Sequence, residues 1–155
     1  MISELWHLLS SGAHWAISLI TLGCVALTVV FHYEVLSRLN RWLPRVGMRR
    51  RRGMLVLMGS LFAAHAVEIW IFGLAIYVTE HFPALGQVEG VVSVLLYDSL
   101  YLSAVTYTTV GYGDLAPFGP LRLLLATEAL VGFMMITWSA SFTYLEMERY
   151  WRPRP

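Results

Sequence analysis

The chain has 155 residues, 57% of them hydrophobic and 14% charged, with a formal net charge of +1 and a positive mean hydropathy. That composition excludes an ordinary water-soluble domain and reads as one integral membrane unit. An enzyme is not expected either, because no Ser/His/Asp constellation, cysteine nucleophile or phosphate-cradling loop appears.

The first residues carry Glu4 and no Lys or Arg, so the basic start of a secretory signal is missing and no cleavage is expected. A helix needs about 20 apolar residues to cross the hydrocarbon. Three segments meet that length, at about residues 14–35, 54–78 and 121–145. Cys24 is the only cysteine and lies in the first of them, which excludes an intrachain disulfide and suits small-residue helix packing. Trp6, Trp15, Trp42, Tyr77, Tyr150 and Trp151 lie near the span ends, as an interfacial aromatic belt requires.

All eleven basic residues are arginines. Seven fall between Arg38 and Arg52, and Arg149, Arg152 and Arg154 follow the last span. Clustered positive charge marks the cytoplasmic side, which puts the amino terminus and the loop after the second span outside. Arg49 to Arg52 also suit anionic lipid headgroups, each basic residue gaining about 1 kcal/mol there. No aromatic platform accompanies the run, so a nucleic-acid site is not expected. Nor do the arginines recur every third residue in an apolar helix, as a voltage sensor would need.

The second span holds His65 and Glu68, three apart and so on one face, while Glu128 lies in the third span. Ionisable residues in a span face protein or water. Together they read as an intramembrane ionisable cluster with two meanings. One is a proton-sensitive buried group; the other is a hydrogen-bonded pair that glues the second span to its neighbours. Two such ligands do not complete a metal site.

A fourth apolar stretch, at about 91–106, is too short to cross and is interrupted by Asp98, so it reads as a re-entrant half-helix. Asp98-Ser99 suits its start, where an oxygen can accept orphan N–H groups. Next comes Tyr107-Thr108-Thr109-Val110-Gly111-Tyr112-Gly113-Asp114. Irregular backbone at membrane depth is tolerated only where it is buried in protein or lines a watery path. For successive carbonyls to point at one axis, alternate residues must be left-handed, which Gly111 and Gly113 allow. The carbonyls of Thr109, Val110, Gly111 and Tyr112, with the Thr109 hydroxyl below, would then form stacked oxygen rings that replace the water around a cation. The plain alternative is a Gly-rich turn between helices.

Seven residues in order, Thr108 through Asp114, resemble the selectivity filter of potassium channels, and they sit where that family carries it, after a short helix and before an apolar one. The resemblance implies a homotetramer in the cell membrane with K⁺ as permeant ion and no organic cofactor. Its fold is all-α: three transmembrane helices plus a re-entrant pore helix and filter loop. It implies ion binding by Thr109, Val110, Gly111, Tyr112 and Gly113, supported by Thr108 and Asp114. Residues 54–155 would be the pore module, preceded in 1–53 by a peripheral helix and the Arg-rich loop. Some relatives carry a Glu four residues before the filter Thr that pairs with the Asp after the filter; here Val105 stands there, so Tyr101 is the expected partner of Asp114.

Pro117, Gly119 and Pro120 are expected to turn the chain into the inner helix, with Arg122 near its outer end. Gly132 stands where similar channels have a gating hinge, and close packing against the pore helix explains a helical glycine equally well. Phe133, Ile136, Ala140 and Tyr144 then follow on the face expected to line the cavity. Only ten residues follow Leu145, so no cytoplasmic ligand-binding module is expected there. A weakly selective cation channel and a non-conducting regulatory subunit remain as alternatives to a K⁺ channel; the intact Gly111-Tyr112-Gly113 opposes the first of these.

Overall fold

In a computed structural model the described residues are 12–44, 50–90 and 95–151. Three helices of 31 residues dominate: α1 (Gly12–Trp42), α2 (Arg50–Glu80) and α4 (Leu121–Trp151). All three are long and apolar enough to cross a membrane. Each is about 46 Å long at ~1.5 Å per residue, against a hydrocarbon core of about 30 Å. The helices therefore outrun the apolar windows by several turns, and those turns hold the arginines. Arg41 and Arg149 sit in the last turns of α1 and α4, where the negative end of the dipole favours a cation. Arg51 and Arg52 are exposed in the first turn of α2, where the dipole disfavours them. Helix electrostatics does not account for that placement.

Between α2 and α4 lies the short helix α3 (Leu96–Tyr107). It begins two residues before Asp98, whose Oδ2 accepts the Leu95 N–H at 2.8 Å. Asp98 therefore closes the first turn from inside the helix rather than from its cap position.

The fold is mostly helical, with one addition to the all-α expectation. Strands β1 (Gln87–Glu89) and β2 (Ala116–Phe118) pair antiparallel, Val88 opposite Pro117. This small sheet joins the loop after α2 to the loop before α4. Pro117 belongs to β2, where an edge position asks nothing of its missing N–H. The turn into α4 is left to Gly119 and Pro120.

The main core draws on every helix: Ile17 of α1, Phe72 and Ile76 of α2, Leu102 and Tyr107 of α3, and Leu124 of α4 are all buried. A second cluster, Leu36, Leu39, Leu43, Leu57 and Leu61, fills the arginine end between α1 and α2. Helix α1 packs on both α2 and α4 and buries Thr21, Thr28 and His32 as well as Ile17. It is part of the packed unit, not an appendage to it.

Candidate functional site: an ion path loop and a buried polar cluster

After α3 ends at Tyr107, the loop's N–H groups turn back to the helix they have just left. Thr108 donates to the Ala104 carbonyl at 3.1 Å, Thr109 to Thr106 at 2.9 Å, and Val110 and Gly111 both to Val105 at 2.9 and 3.1 Å. The Thr108 hydroxyl donates to the same Ala104 carbonyl at 2.7 Å. Orphan carbonyls of a helix C-terminus are thereby satisfied by the loop that follows. The loop's own carbonyls have the opposite fate. Among the described residues, none from 108 to 113 accepts a hydrogen bond from a backbone N–H.

Backbone handedness alternates along the same run. Thr109, Gly111 and Gly113 have φ of 60°, 53° and 80°, and the residues between them do not have positive φ. For the two glycines this is unstrained. For Thr109, a β-branched residue, it costs about 1 kcal/mol or more. Strain of this kind persists where surrounding structure over-determines it, and it clusters at functional sites.

The side chains look outward. Residues 108–114 are exposed, with Val110 54% and Tyr112 73% accessible, so the most apolar part of the loop finds no cover in its own chain. Asp114 is exposed beside the Tyr101 hydroxyl, and Val105 is buried. On α4, Phe133, Ile136, Ala140 and Tyr144 are all exposed in the single chain, while Val131, Met135 and Ser139 point into it. Gly132 is pressed onto the last residue of α3, and a Cβ there would overlap the Tyr107 carbonyl, carbon and Cα.

Glu68 is wholly buried and sits at the centre of a polar cluster that joins the helices. Its Oε1 lies 2.7 Å from His32 Nδ1 and its Oε2 3.0 Å from His65 Nδ1. The Tyr107 hydroxyl donates to the same Oε2 and lies 2.9 Å from His65 Nδ1. On its far side His32 Nε2 faces Ser139 Oγ at 3.4 Å, and the Trp138 ring packs 5.4 Å from the imidazole. Three helices therefore meet at one carboxylate, and α4 joins them through His32. Glu128 stands apart from His65 and Glu68: the Ser103 hydroxyl, which also reaches the Ile69 carbonyl at 2.8 Å, lies on its Oε1. Its Oε2 is buried without a partner.

Reading the sequence missed His32, Ser139 and the hydroxyl role of Tyr107. A signal for His32 existed: a histidine inside a 31-residue apolar helix is as unusual as His65 in the next one. Of the arginines singled out for lipid, Arg49 lies outside the described residues, as do Arg45, Arg152 and Arg154.

Residues 64–147, more than half of the chain, match the family model described as "Ion channel". That span runs from the middle of α2 through α3 and the loop into the last turns of α4, and it leaves α1 outside. The chain is also similar to Protein LctB of Bacillus caldotenax, 56% identical over 41 residues, or 26% of this chain and 31% of that protein. With Protein LctB of Geobacillus stearothermophilus it shares 42% identity over 55 residues, 36% of this chain and 41% of the relative. The chain thus spans less than half the length of either curated relative. No solved structure matches. The family match covers more than half of the chain and takes in the alternating loop, and it leads to one conclusion: the chain belongs to the ion channel family.

Proposed function

We propose that four copies of this chain form a K⁺-selective pore, with Thr109, Val110, Gly111, Tyr112 and Gly113 of each copy supplying one edge of the ion-binding rings. The observation that carries the reading is the backbone hydrogen-bond account of the loop: every N–H from 108 to 111 is claimed by α3, and among the described residues no backbone N–H claims a carbonyl from 108 to 113. Carbonyls at membrane depth need a partner, and a dehydrated cation is one. A single loop offers one edge of a ring, and exposed Val110 and Tyr112 need apolar cover, so further copies supply both. The exposed faces of Phe133, Ile136, Ala140 and Tyr144 then border the shared cavity below the filter. The carboxyl ends of four α3 helices would point at that cavity and favour a cation.

Orientation follows from the arginines. Arg38, Arg41 and Arg149 lie at the same ends of α1 and α4, where Arg149 Nη1 reaches Asn40 Oδ1 at 3.4 Å. With Arg51 and Arg52 they make one strongly basic end, which we place in the cytoplasm, on anionic lipid. The filter loop then opens outward. Purified protein in liposomes with a K⁺ gradient tests the reading: K⁺ flux blocked by Ba²⁺ is expected, and flux equal for K⁺ and Na⁺ overturns it.

A further inference from the structure

Sequence spacing gives Glu68 one histidine; the fold gives it a second from another helix. His32, His65 and Glu68 each offer a ligand atom, and these atoms lie within 4.8 Å of one another. We propose that His32 Nδ1, His65 Nδ1 and the Glu68 carboxylate bind one divalent transition ion of the zinc class, with the Tyr107 hydroxyl at the fourth position.

The donor set selects the metal. Two imidazoles and one carboxylate suit Zn²⁺ or Co²⁺, whereas Mg²⁺ and Ca²⁺ prefer oxygen alone. Tetrahedral ligand atoms at about 2.0–2.1 Å from one ion lie about 3.4 Å apart, so the cluster closes on an ion with shifts of under ~1 Å for each side chain. Charge points the same way. Glu68 is fully buried, and the arginine ion pairs among the described residues are made elsewhere, with Glu34 and Glu146. A dication would offset the charge of that buried carboxylate.

The hydrogen-bond count is also unsettled without an ion. Tyr107 gives its one proton to Glu68 Oε2, and His65 Nδ1 then faces both that oxygen and the Tyr107 oxygen with a single proton for two acceptors. On binding, Nδ1 of each imidazole turns its lone pair to the ion and the ring proton moves to Nε2. For His32 the relocated N–H points at Ser139 Oγ, the kind of outer partner that orients a metal-bound histidine. An ion here would tie α1 and α2 to the residue that ends α3, two positions before Thr109.

The site does not depend on which ion passes the pore, and it is tested by binding. The chain has five histidines. A variant with His7→Ala, His14→Ala and His81→Ala keeps only His32 and His65, and tag-free protein of this kind is titrated with Co²⁺ and Zn²⁺. One Co²⁺ per chain with a visible d–d absorption, displaced by Zn²⁺, is expected. Adding His32→Ala, or in a separate protein Glu68→Gln, is expected to weaken binding at least tenfold. His32→Gln serves if the alanine protein does not fold. No Co²⁺ spectrum at submillimolar metal, or affinity unchanged by the His32 and Glu68 variants, overturns the proposal.

Discussion

The loop at residues 108–114 and the Glu68 cluster are joined through Tyr107, yet they are built on opposite terms. The loop is contiguous in sequence, exposed, and left with free carbonyls. The cluster is assembled from residues 32, 65, 68 and 107, is largely buried, and finds its hydrogen-bond partners within one chain. One is a surface left uncovered in the single chain, and the other is a joint that holds the helices of the single chain together. A backbone motif can be read from adjacent letters, whereas a joint between helices needs the packing first.

The comparison is broken most severely at the joint. Glu68→Ala removes the acceptor shared by two imidazoles and a phenol, and we expect a loss of about 3 kcal/mol or more in the stability of the folded chain. Thermal unfolding in detergent checks it. A midpoint within a degree of the wild type would show that the cluster holds nothing.

Next comes the contact between the two regions. Gly132→Ala pushes a Cβ into the Tyr107 carbonyl and is expected to cost about 1–3 kcal/mol, with both loop and cluster disturbed. The same unfolding experiment separates tight packing from a free hinge: an unchanged midpoint would favour the hinge. The smallest effect belongs to the arginine end. Arg38 and Glu34 are an exposed pair at 3.6 Å, so Arg38→Ala should change stability by no more than about 0.5 kcal/mol, and a larger loss would mean that this end packs more tightly than it looks.

These differences explain what the sequence could and could not say. The three spans were legible because hydrophobic length is a local property, although each helix runs past its apolar window into turns that carry Arg41, Arg51 and Arg149. Asp98 was legible as a capping residue because its partner, Leu95, is three residues away. The run ending in Gly113 was legible because glycine at alternate positions announces left-handed backbone, while Thr109 gave no such notice and takes φ of 60° all the same. The pairing of Val88 with Pro117 was not legible, since a three-residue strand that includes proline carries almost no pattern. His32 was not tied to Glu68, 36 residues on, because no periodicity within one helix says which face of another it will meet.

The central claim is that the loop's unclaimed carbonyls bind the permeant ion, and Gly113→Ala tests it most directly. At φ of 80° a Cβ is disfavoured by about 1 kcal/mol or more per copy, although nothing lies within 4 Å of it to clash. The measurement is the ratio of K⁺ to Na⁺ flux in liposomes for wild type and variant, at matched protein content. The account predicts a wild type that strongly prefers K⁺ and a variant that loses the preference or stops conducting. A variant that conducts with the wild-type ratio would contradict it.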